Sequence, residues 1–113
     1  MIHLDQAEVA PFIMARSRGG EHLHVVMDDG EGDIYDPFVR ALHLPSWTGH
    51  NLDALIDALR DVVDRHDAPW TLVWQPAPGR ERTAGVRAVL ADLEDEAPGL
   101  TVALADGASG PRM

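Results

Sequence analysis

The chain contains no cysteine and no lysine. Without cysteine there are no disulfides and no thiolate metal ligands, a composition that suits a reducing compartment. Without lysine, all nine basic residues are arginines, set against nineteen acids for a formal net charge of −10. A surface of that sign repels phosphate backbones, so direct nucleic-acid binding is not expected, whereas encounter with a basic partner is accelerated. Also missing is any apolar run near the roughly 20 residues that span a bilayer. The opening Met1-Ile2-His3-Leu4-Asp5 has neither the basic nor the apolar region of a signal peptide. The expectation is a cytoplasmic protein with no membrane segment. Catalytic and cofactor signatures are lacking too: there is no HExxH, Cys/His zinc spacing, P-loop or GxSxG. Six histidines remain (His3, His22, His24, His43, His50, His66). His22 and His24 share one side of a strand and His50 sits near Asp53, an arrangement that is more often structural than metal-binding. The chain reads as a non-enzyme with no metal and no cofactor.

What is present is an ordinary globular composition, 45% hydrophobic over 113 residues, enough for one compact domain. Val9-Ala10-Pro11-Phe12-Ile13-Met14 reads as an edge strand or a short packing segment, and Gly19-Gly20 as a break. Leu23 to Met27 is a short apolar run ended by Asp28-Asp29-Gly30, and so a buried strand. Asp36-Pro37 supplies an N-cap followed by proline at the first helical position, for a short helix through Leu42 that Pro45 ends. A loop follows, then a helix from Asn51 to about Arg65 closed by Ala68-Pro69. Trp70 to Trp74 is a second strand, with Trp70 and Trp74 on one side of it and expected in the core. A loop over 76–79, a helix from Thr83 to Glu96 and a third strand, Leu100 to Leu104, complete the pattern. Strands separated by helices imply right-handed crossovers and a parallel sheet. The expected fold is α/β, a small three-stranded parallel sheet packed with helices. Residues 1–21 form an N-terminal extension that supplies an added strand or packing segment, 22–105 the domain, and 106–113 a flexible tail.

The helix from Asn51 is the informative element. Leu52, Leu55, Leu59, Val62 and Val63 fall on one face at helical spacing. Asp53, Asp57 and Asp64 cluster on another face with Arg60 among them, and Ile56 lies at the border. Asp53 and Asp57, four residues apart, repel each other by a few tenths of a kcal/mol on an isolated helix, offset in part by the N-terminal end of the helix dipole. Stacked carboxylates beside a tryptophan-bearing loop are either a site for cations or a solvated face.

The run Leu44-Pro45-Ser46-Trp47-Thr48-Gly49-His50-Asn51-Leu52-Asp53-Ala54-Leu55-Ile56-Asp57-Ala58-Leu59 strongly resembles the barstar family, which shows Leu-Pro, an aromatic, Gly, one variable residue, Asn-Leu-Asp-Ala-Leu, and Asp two residues later. The similarity runs on through Leu72-Val73-Trp74-Gln75, Gly85 and the final strand. It implies reversible inhibition of a secreted, barnase-type ribonuclease inside the producing cell, at 1:1, by an acidic helix and its preceding loop inserted into the enzyme's cationic active site. By that resemblance Asp57 takes the place of a substrate phosphate, Asp53 meets the basic rim, and Trp47 stands where the family has a tyrosine. Gly49, Asn51 and Leu52 match loop and helix-start contacts; His50 lies at the same interface. Asp95 aligns with a peripheral ion-pairing glutamate, with Glu94 and Glu96 as alternatives.

Two positions depart from the pattern. Ile56 replaces the family's usual tryptophan, and Arg60 replaces a small threonine. Arg60 has Asp57 and Asp64 within reach on its own helix, or an acidic residue on a different ribonuclease. The alternatives to ribonuclease inhibition are an immunity protein on the same scaffold aimed at another nuclease toxin, and an acidic binding module that inhibits nothing.

Overall fold

The computed structural model describes residues 1–28, 30, 32–45, 48–49, 51–65, 69–77 and 83–105. The second half follows the sequence pattern closely. Helix α3 spans Leu52–Arg65, strand β3 Trp70–Gln75, helix α4 Thr83–Glu96 and strand β4 Leu100–Leu104; before them come β2 at His22–Met27 and α2 at Asp36–Ala41. The expected loop at Ser46, Trp47 and His50, the stop at Ala68, the end of the 76–79 loop and the tail lie outside the described residues.

The sheet is parallel throughout but has four strands, not three, in the order β1-β4-β3-β2. The added strand β1 is only Ile2–His3, paired with Ala103 and Leu104. Two residues carry no periodicity, so nothing in the local sequence marks them; the Leu4 N–H extends the pairing by donating to the Leu104 carbonyl at 2.9 Å.

The stretch read as an edge strand or a short packing segment, Val9 to Met14, is no strand but the middle of a helix, α1, over Gln6–Arg18, and its Val9, Phe12 and Ile13 pack against the sheet. Its start is a reciprocal cap. Asp5 Oδ1 accepts from the Glu8 N–H at 3.0 Å, and the Asp5 N–H donates to Glu8 Oε1 at 2.9 Å. Pro11 hides this helix from a sequence reading, because proline inside a helix removes a donor and crowds the preceding turn. Both Pro11 and Ala7 are exposed, so water can serve the carbonyl left over.

Central strand β3 explains the two-sided burial. Trp70, Leu72 and Trp74 face α2, α3 and α4 in the larger core, together with Phe38, Leu55, Leu59, Val86, Leu90 and Val102. Val73 faces the other way, into a smaller core of Leu4, Val9, Ala103 and Ala105, with Phe12, Ile13, Leu23 and Val25 packed around it. Helix α1 therefore roofs the second face of the sheet, as a parallel sheet requires.

That roof is fastened by a polar link. The buried Thr71 hydroxyl donates to Glu21 Oε2 at 2.6 Å, and Arg16 Nη1 donates to the same oxygen at 2.9 Å. The Thr71 bond, then the Arg16 bond, hold the Glu21 carboxyl below the ordinary glutamate range. A carboxylate lowered in the folded state stabilises above its unfolded pKa, and that contribution is lost as pH falls through the folded value. Glu21→Gln is expected to flatten the fall in thermal midpoint below about pH 4.5; an unchanged acid limb would show that Glu21 does not supply it.

On the far side of β4, Glu94 does related work. Its Oε2 accepts the Val102 N–H at 2.7 Å and its Oε1 meets the Met1 amino group at 2.7 Å. Burial raises its pKa, but these two bonds and the amino charge outweigh that and leave it lowered.

Helix α2 begins one residue away from the expected cap. Asp36 is its first residue and Tyr35 the N-cap, while Asp33 Oδ1 accepts from the Tyr35 and Asp36 N–H groups, each at 2.9 Å. The helix ends before Pro45: Leu42 is the C-cap, and His43, at φ 55°, turns the chain left-handed so that the Leu44 N–H reaches the Val39 carbonyl.

Candidate functional site

Helix α3 is anchored from below and free above. Leu55, Leu59 and Val62 are 3% exposed or less. Asn51 starts it as the sequence suggests, its Oδ1 accepting from the Ala54 N–H at 2.8 Å and its carbonyl from the Leu55 N–H at 3.0 Å. Asp53, Asp57, Arg60 and Asp64 are all exposed. At 100° per residue they fall along one ridge.

The ridge has a hollow on each side. Towards the α2–α3 connection is a cleft of about 420 Å³ lined by Leu44, Pro45, Thr48, Gly49, Ala54, Asp57, Ala58 and Asp61. Towards α4 is a notch of about 60 Å³ between Ile56, Arg60, Val89, Asp92, Leu93 and Glu96. Asp57 thus borders the cleft, and Ile56, half-buried, borders the notch.

Two glycines set close approaches to α3. A Cβ on Gly49 would stand 3.1 Å from the Ala54 Cβ, which cannot swing aside, so the loop comes this close to α3 only with glycine there. Gly49→Ala is expected to cost about 1 kcal/mol through overpacking, read as a lower urea midpoint; an unchanged midpoint would mean the loop yields freely. A Cβ on Gly85 would meet Leu52 Cδ1 at 2.9 Å, so the first turns of α3 and α4 pack through that pair. Leu52 is accordingly half-buried, its side chain directed to α4.

Arg60 finds neither of the partners offered by its own helix. Its Nε donates to Glu96 Oε1 at 3.3 Å and its Nη2 to Glu96 Oε2 at 3.1 Å, across to α4. Glu96, and more weakly Asp57, raise its pKa further. This pairing is tertiary and could not be read from spacing along α3. The four acids of α4 separate: Glu94 is tied to β4, Glu96 to Arg60, Asp92 lines the notch, and Asp95 is exposed outside it.

Asp61, Ala54 and Ala58 are cleft residues that the sequence reading passed over. The signal was available: two alanines four apart beside two aspartates four apart leave room next to charge. Asp61 also pairs with Arg65 at 3.4 Å, exposed on both sides. Trp47 and His50 lie outside the described residues. His22 is exposed, and the half-buried His24 sets its ring edge-on to Trp70 at 5.4 Å. Among the described residues no group of three or more His, Asp or Glu could hold a metal ion. No helix among them is long and apolar enough to cross a membrane.

Fold and site together define a small parallel α/β domain that presents an acidic helix ridge beside a cleft. The chain belongs to the Barstar family, described as barnase inhibitor, whose model matches residues 25–106. Members of that family are inhibitors, not enzymes. The match takes in α2, α3, β3, α4 and β4; β1 and α1 precede it. No curated protein and no solved structure matches the chain.

Proposed function

We propose that this protein inhibits a nuclease with a cationic active site, a barnase-type ribonuclease first of all, by lodging the α3 ridge and its preceding loop in that site. The binding is reversible and 1:1, in the cytoplasm, with no cofactor and no covalent step. The observation that carries the reading is Asp57. It stands exposed at the centre of the ridge, borders the cleft, and accepts no hydrogen bond from any described residue. A carboxylate so placed can meet the arginines and histidine that otherwise hold a substrate phosphate. Asp53 one turn earlier extends the contact to the rim, and the surrounding charge of −10 speeds encounter. Trp47, Gly49, His50, Asn51, Leu52, Ile56, Arg60 and Asp95 complete the proposed partner-binding set.

Titration of barnase with the purified chain tests the reading. Loss of ribonuclease activity with an endpoint at one equivalent is the expected result, and full activity at micromolar inhibitor rejects it for this enzyme class. A second reading, an immunity protein against another nuclease toxin, is favoured by Ile56 and Arg60 standing where the family carries tryptophan and a small threonine.

A further inference from the structure

The Arg60–Glu96 pair sits on the proposed binding face without belonging to its acidic logic. A lone arginine on the ridge, three residues after Asp57, would oppose a basic enzyme. The structure does not leave it loose. Glu96 grips the guanidinium side-on, using Nε–H and one Nη2–H. A guanidinium has five N–H donors, so an outer fork of Nη1 and Nη2 N–H groups is left over, spaced to take a second carboxylate end-on. Both side chains remain half-exposed, 55% for Arg60 and 50% for Glu96, so that fork is reachable from outside. The neighbouring notch brings Ile56, Val89, Leu93 and Asp92 against the same pair. Asp92 adds a further carboxylate there, so this flank of the face is mixed in sign.

We infer that the Arg60–Glu96 fork is a specificity element: it selects a partner whose cationic cleft is flanked by a carboxylate opposite Arg60, and it disfavours a nuclease that is basic throughout. The inference rests on the inhibitor reading above and deepens it. Glu96 is the positioning residue, because it fixes which edge of the guanidinium faces outward and cancels most of its field. Arg60 is the residue that meets the partner.

Inhibition of barnase, as the basic probe, by wild type, Arg60→Thr, Glu96→Gln, the double variant and Asp57→Ala tests this. Arg60→Thr is expected to bind about tenfold tighter than wild type, the gain shrinking in high salt. Glu96→Gln, which frees the arginine charge, is expected to bind more weakly than wild type, while in the Arg60→Thr background the same change has a clearly smaller effect. That non-additivity is the signature of the fork, since two independent surface charges would add. Equal or weaker binding by Arg60→Thr overturns the inference, as does an effect of Glu96→Gln that is the same in both backgrounds. Those results, with inhibition still lost in Asp57→Ala, leave the inhibitor reading intact. Inhibition by Arg60→Thr where wild type has none supports the inference most strongly. No inhibition by any variant rejects the inference and, for this enzyme class, the inhibitor reading.

Discussion

Asp57→Ala is expected to abolish tight inhibition while leaving the fold unchanged. In the free protein the side chain is exposed and accepts no hydrogen bond from any described residue, so its removal has little stability to take away. In the proposed complex the same carboxylate would be enclosed by cations. Truncating one member of a buried charge pair strands the others, at a cost of about 3 kcal/mol or more. That corresponds to a loss of roughly a hundredfold in affinity or greater. Asp57→Asn separates charge from shape and is expected to lose nearly as much. The measurement is an inhibition titration at two salt concentrations beside a urea melt. A variant that inhibits like wild type moves the site off Asp57, and one that melts early makes the loss of inhibition a folding effect.

The second large effect lies on the opposite face. Removing residues 1–20 strips the cover from Val73, Ala103 and Ala105, all at most 1% exposed, and takes Leu4 and Val9 with it. Each fully buried aliphatic side chain is worth about 1.5–3 kcal/mol, so the shortened chain is expected to lose at least about 3 kcal/mol, a large part of an ordinary domain's stability. Full-length Val9→Ala tests the same roof more gently, with an expected loss near 2 kcal/mol. A truncated chain with an unchanged urea midpoint would make β1 and α1 an appendage. Because α3 is on the other side of the sheet, binding by whatever fraction stays folded should be preserved.

These two predictions differ in how much of their basis the sequence displays. Asp57 is legible because α3 is strongly amphipathic: Leu55, Leu59 and Val62 declare one face, and the acids follow as the other. The strands β3 and β4 are legible because short apolar runs between proline- and glycine-bearing turns have few other uses. The N-terminal layer is not, since β1 has two residues and α1 carries Pro11 in its interior, which cancels the helical signal that Asp5 and Glu8 start. At the site the hidden part is tertiary. Arg60 has charged neighbours at i−3 and i+4, both plausible by spacing, yet the helix packing delivers Glu96, and no local rule contains that. Which acids of α4 reach the ridge is likewise decided by how α4 rotates against α3, which puts Asp92 and Glu96 at the notch and Asp95 outside it.

The strand order has a consequence for timing. Among the described residues strand β1 pairs with β4 alone, Ile2 lying opposite Ala103, so the first strand of this sheet waits for the fourth. The neighbours β2 and β3 are themselves separated by two helices. Each pairing closes a long loop, and such non-local closure slows folding and leaves apolar edges uncovered meanwhile. On a ribosome, β1 emerges long before its partner β4, and β2 long before its partner β3, so the sheet is complete only after β4 is free.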